Sequence, residues 1–100
     1  MMIRWGEVTR GRRLAYQAAL ASLDGEGSRL AEALRVELEW RLRNRGRAPK
    51  KPPAPGEGLR MHAVGAARRA ILAMRKSGEI GDVAFHRLEE EMDRIELSAT

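Results

Sequence analysis

Cysteine is absent from this 100-residue chain. Its absence excludes a disulfide framework, a thiolate zinc site and a cysteine nucleophile, and it fits a reducing, cytoplasmic setting. Only four residues are aromatic and few are β-branched, a composition that disfavours a sheet and favours close packing of alanine- and leucine-rich helices. No apolar run approaches the roughly 18 to 20 residues needed to cross a bilayer. The N-terminus also lacks the apolar segment of a signal peptide, so a soluble chain is expected. Gly25 and Gly27 have neither the flanking strand nor the lysine of a phosphate loop. Thr9, Ser22, Ser28, Ser77, Ser98 and Thr100 fall mostly at expected helix ends, where capping explains them better than nucleophilic catalysis. The consecutive Glu89, Glu90 and Glu91 fan around a helix instead of converging as an acid/base pair. Neither an enzyme nor a cofactor-binding protein is expected.

What the chain does have is helical periodicity, clearest in residues 68–97, RRAILAMRKSGEIGDVAFHRLEEEMDRIEL. Val64, Ala67, Ile71 and Met74 recur at three- and four-residue steps before a turn, and Phe85, Leu88, Met92 and Ile95 do so after it. Between them, Gly78 suits a left-handed helix end, and Asp82 is placed to cap the next helix with its carboxylate. The packing set that the periodicity gives this hairpin includes Ile71, Met74, Phe85, Leu88, Met92 and Ile95. Its first helix is basic, with Arg60, Arg68, Arg69, Arg75 and Lys76, and its second is acidic. Antiparallel pairing would lay one charge against the other, at roughly 0 to 1 kcal/mol per exposed pair.

The rest of the chain suggests a second hairpin. Residues 1–8 have no clear period and are expected to be poorly ordered. From Thr9, a candidate N-cap, Tyr16, Ala19, Leu20 and Leu23 share one side of a helix that ends at Gly25 and Gly27. Ser28 is placed to cap the next helix, where Leu30, Leu34, Leu38 and Leu42 form a stripe that Val36 and Trp40 widen. Gly46 closes it. The organisation expected is a hairpin over 9–45, a Pro/Lys linker over 46–57 that no helix can traverse, and a hairpin over 58–97. Each hairpin alone would expose a wide apolar face. An all-α, four-helix arrangement follows, with the hairpins packed on each other or on a second copy of the chain.

The passage RRAILAMRKSGEIGDVAFHRLEEEMDRIELSA, above all Ile80-Gly81-Asp82 and His86-Arg87-Leu88-Glu89, resembles the cytoplasmic C-terminal tail of bacterial sodium/proton antiporters, relatives of the sodium/hydrogen exchangers. The resemblance covers about the last third of the chain, and it implies a packing role for Ile80, which joins the hairpin's packing set. It implies a regulatory or assembly element on the cytoplasmic side of the plasma membrane, contacting the membrane domain of its parent or a second tail. It does not imply transport by this segment, because the family's ion-carrying carboxylates lie on membrane helices that have no counterpart here.

Two sets of residues are candidates for contact with something outside the chain. Arg41, Arg43, Arg45, Arg47, Lys50 and Lys51 form a run without an acid, at net charge +5 for the whole chain. It reads first as a solvated linker, then as a contact for anionic lipid, and last as a contact for nucleic acid. No zinc-finger spacing, aromatic platform or helix-turn-helix pattern backs the last. His86 stands within a turn of Asp82, Glu89 and Glu90, which makes it a candidate pH-responsive group; with His62 the only other histidine, a metal site is not expected.

Overall fold

Four α-helices, α1 (Trp5–Ala21), α2 (Arg29–Arg43), α3 (Glu57–Ser77) and α4 (Asp82–Leu97), make up most of the computed structural model, which describes residues 4–50 and 56–98. The chain is all-α, and the two hairpins pack on each other. α1 packs chiefly on α3, α4 packs against both, and α2 packs on α1 and α3. Alanine makes this possible: Ala15 and Ala19 of α1 and Ala63 and Ala67 of α3 are all buried, and such small side chains let helix axes approach closely. Around them Tyr16, Leu23, Leu34, Leu38, Ile71, Leu88, Met92 and Ile95 complete one core.

The α3–α4 turn forms as its residues suggest. Gly78 adopts a left-handed φ of 84°, and the Ile80 amide donates back to the Met74 carbonyl at 3.3 Å, which folds the Ile80 side chain into the core. Of the expected packing set, Ile71, Met74, Ile80, Leu88, Met92 and Ile95 are buried, while Phe85 is only half-buried at the core's edge. Asp82 does not cap. The N-cap of α4 is Gly81, in an extended conformation, and Asp82 is the first helical residue, where its side chain turns outward to Arg75 (3.4 Å) and His86 (3.6 Å). Its charge still lies beside the positive start of the helix. Ser28, by contrast, caps α2 as expected, accepting from the Ala31 amide at 3.1 Å.

Residues 4–8 depart from the expectation of poor order. α1 begins at Trp5, Thr9 lies inside the helix, and Val8 is buried in the core. Long-range contacts that no local pattern announces hold this first turn. The Glu7 carboxylate accepts from the Gly81 amide at 2.6 Å, and the Arg10 guanidinium donates to the Glu79 carbonyl at 2.7 Å, so the start of α1 clamps the α3–α4 turn. α2 is also rotated from its expected setting. Ala31, Leu34, Glu37, Leu38 and Arg41 face inward, Val36 and Leu30 are exposed, and Trp40 is half-buried. The centre of the Pro/Lys linker, 51–55, lies outside the described residues.

Gly11 sets the spacing of α1 and α4. A Cβ built there would sit 2.6 Å from Leu88 Cδ1 and 3.5 Å from Ile80 Cγ2, both fully buried side chains with little room to yield. Gly11→Ala is expected to destabilise by about 1 to 3 kcal/mol through overpacking, although alanine is the better helix former. A urea melt reads it, and a stabilised variant would place α1 farther from α4 than described.

Candidate functional site

Four charged side chains lie on the inward helix faces: Glu37 and Arg41 on α2, Arg60 on α3 and Glu91 on α4. The Arg60 fork grips Glu37 with two bonds, Nη1 to Oε2 and Nη2 to Oε1, both 2.7 Å, and Arg41 Nε adds a third to Oε2 at 3.0 Å. Both arginines then reach the end of α4. Arg60 Nη1 lies 3.4 Å from the Ile95 carbonyl, and Arg41 Nη2 lies 3.3 Å from Ser98 Oγ. A second group surrounds Glu91, which accepts from the Tyr16 hydroxyl at 2.7 Å and from Arg12 Nε at 3.0 and 3.1 Å. Burial first, and then the adjoining Glu91 charge and hydrogen bond, push the Tyr16 pKa well above the ordinary phenol range, against the opposing pull of Arg41 and Arg12. Gly46 closes over this carboxylate with φ of 77°; a Cβ there would collide with Glu91, so both conformation and space call for glycine.

These groups correct two expectations. Arg41 was expected in a basic surface run, but at 2% exposure it is bound to Glu37 and unavailable to a partner. Arg60 was expected to face the acidic helix of its own hairpin, yet its carboxylate is on α2. The charge pairing inside the second hairpin is carried instead by Arg68, which meets Glu89 (2.6 Å), Asp93 (2.7 Å) and Glu96 (3.1 Å), with Arg75 and Asp82 nearer the turn.

Arg43, Arg45, Arg47 and Lys50 are exposed as expected, and Lys51 lies outside the described residues. What Arg45 and Arg47 face is announced by no local pattern. They form one wall of an open cleft of ≈ 1160 Å³ whose other wall is the first half of α1, with Arg10, Arg12 and Arg13. Trp5 and Leu42 supply its apolar surface, and among the described residues no carboxylate lines it. Arg12 is engaged by Glu91 and Arg10 by a backbone carbonyl. Arg13, Arg45 and Arg47 meet no carboxylate within ion-pair distance among the described residues. A smaller hollow beyond Gly46, with Arg94 of α4 on its rim, also borders Arg45 and Arg47 and extends the basic face. The turn after α2 shapes the cleft. Arg45 adopts a left-handed φ of 56°, and the following Gly46 amide donates to the Arg41 carbonyl at 2.7 Å, which folds the chain after α2 back toward α1.

His86 is exposed, edge-on to the Phe85 ring at 5.4 Å between centroids, and pairs with Asp82 one turn earlier. Among the described residues no three His, Asp or Glu side chains gather as a metal ion requires. The hydroxyls of Ser22, Ser77 and Ser98 each donate to a carbonyl three residues back, at 2.6, 3.1 and 2.7 Å.

Fold and site together define a small four-helix protein with charge pairs inside and an arginine-lined cleft outside. No protein-family model, curated protein or solved structure matches the chain.

Proposed function

We propose that this chain is a cytoplasmic regulatory or assembly domain of a monovalent cation/proton antiporter, acting by protein contact. The observation that carries the reading is the likeness of residues 68–99 to the tails of bacterial sodium/proton antiporters, quoted above. Consistent with it, no helix among the described residues is long and apolar enough to cross a membrane, so any transport would belong to another part of a parent protein. Its partners would be that parent's membrane domain or a second copy of the domain. Met61 and Leu72, exposed three turns apart on one side of α3, offer apolar area for such contact. Coupling would arise if these contacts differ between two states of the parent, since only a differential interaction shifts an equilibrium. His86, exposed beside Asp82, would add a pH response to that coupling.

A second reading, a free-standing basic helical protein that binds nucleic acid or serves as an adaptor, draws on the arginine cleft. One fractionation separates the two. Native cells are divided into membrane and soluble portions and probed with antibody to this domain. A product much larger than 11.2 kDa and confined to membranes is expected. A soluble product of the chain's own size would sink the antiporter reading and promote the second.

A further inference from the structure

The arginine cleft between α1 and the chain that follows α2 differs from the other charged surfaces of the molecule. On the outer face of the second hairpin, cations are met by carboxylates, as Arg68 is by Glu89, Asp93 and Glu96. In the cleft, Arg13, Arg45 and Arg47 are gathered from two segments more than thirty residues apart in sequence, with no carboxylate in the lining. Like charges brought together without a counter-charge repel, so a fold that gathers them leaves a site whose complement is a group of anions.

The second observation is Trp5. It is 58% exposed and lines the same cleft, as does Leu42. The Arg87 guanidinium lies 5.0 Å from the centre of its ring, a cation–π contact. An exposed indole among arginines is suited to a surface that presents phosphate and hydrocarbon together. Tryptophan favours the boundary between headgroups and acyl chains, and arginine pairs with phosphate through its planar fork. A nucleic acid offers the phosphates, but reading it without a groove-tracking helix needs a series of stacking aromatics, and the cleft has one.

We propose that this cleft docks the protein on an anionic phospholipid surface, with Arg13, Arg45 and Arg47 on headgroup phosphates and Trp5 at the acyl boundary. The cleft belongs to the chain whatever its parent, so the proposal stands or falls apart from the antiporter reading. A membrane-tethered domain would use it to fix orientation, and a free-standing one to reach the membrane at all. Arg10 and Arg12 line the cleft as positioning residues, tied to Glu79 and Glu91.

The test mixes the 100-residue chain with vesicles of phosphatidylglycerol and phosphatidylcholine, or of phosphatidylcholine alone, and measures sedimentation and tryptophan emission. The expected result is binding to the anionic vesicles only, weakened by salt. At about fivefold per arginine near a charged surface, the Arg13→Gln/Arg45→Gln/Arg47→Gln variant should lose about 100-fold in partition. A charge-matched control, Arg29→Gln/Arg69→Gln/Lys76→Gln, alters exposed cations outside the cleft and should lose far less. Circular dichroism establishes that both variants fold. In a Trp40→Phe background, Trp5 emission should shift to the blue on binding. Equal losses in the two triple variants, absence of binding to anionic vesicles, or an unshifted Trp5 would each overturn the proposal. So would tighter binding to duplex DNA than to vesicles with the same loss in the cleft variant, or full competition by millimolar inorganic phosphate, which would make the site one for a free anion.

Discussion

Replacing Glu37 with alanine is expected to destabilise the protein by about 3 to 5 kcal/mol, more than any other single truncation considered. The reason is what remains behind. Glu37 receives three hydrogen bonds from two arginines that are themselves buried, one from Arg41 Nε at 3.0 Å and two from the Arg60 fork at 2.7 Å. Without Glu37, these two buried guanidinium charges would each lose the carboxylate that grips them. Because net stabilities are about 5 to 15 kcal/mol, a loss of this size approaches complete unfolding. Equilibrium urea denaturation measures it directly. A loss below about 1 kcal/mol, the range of exposed pairs, would mean that Glu37 lies at the surface. The companion experiment replaces all three residues at once with leucine or methionine. That variant should be much more stable than Glu37→Ala, since no charge is then stranded, and the difference would identify the stranded charge as the cause and not the lost volume.

The same residues explain how far the sequence could be read. Helix number, the Gly78 turn, the Ser28 cap and most of the packing set were legible because each rests on local periodicity or on a terminal residue with one backbone role. The start of α1 was not. Trp5, Gly6, Glu7 and Val8 carry no repeating pattern of their own, and their order comes from Glu7 and Arg10 reaching residues more than sixty positions away. Asp82 failed as a cap because α4 starts one residue earlier than that role needs: Gly81 is the N-cap and the aspartate is already the first helical residue.

The inward charges had a signal that was misread. Glu37 lies between Leu34 and Leu38 or Arg41 at helical steps, Arg60 precedes Ala63, Val64 and Ala67 on their own stripe, and Glu91 falls between Leu88 and Ile95. A charge on the apolar stripe of a helix implies a partner on another element: Glu37, Arg41 and Arg60 satisfy one another, and Glu91 is met by Arg12 and Tyr16 of α1. Widening the Leu30, Leu34, Leu38 and Leu42 stripe toward Val36 and Trp40 hid this, because the inner face widens instead toward Glu37 and Arg41. The cleft was half legible. Arg41 to Lys51 announced a basic run, but the meeting of Arg45 and Arg47 with Arg10, Arg12 and Arg13 depends on the packing of α1, which no local pattern states.

Above pH 10 the protein should lose stability at up to about 1.4 kcal/mol per pH unit on account of Tyr16 alone. In the unfolded chain this phenol ionises near pH 10. In the folded protein, burial and the neighbouring Glu91 carboxylate hold the proton on, and the hydroxyl donates to Glu91 at 2.7 Å. The sign follows from proton numbers. Below pH 10 both states carry the proton and Tyr16 adds no pH dependence; above it the unfolded state has lost a proton that the native state keeps, so rising pH draws the equilibrium toward unfolding. By pH 12 the loss should reach about 2 to 3 kcal/mol. Tyr16 is the only tyrosine in the chain, so phenolate absorbance near 295 nm reports this one group. It should remain silent while the circular dichroism is native and appear in step with unfolding. Tyr16→Phe should be less stable at neutral pH by about 1 to 3 kcal/mol, because Glu91 loses a buried donor, yet its stability should fall less steeply above pH 10. Phenolate absorbance at pH 10 in a protein with native circular dichroism would place the hydroxyl in solvent and remove the bond to Glu91.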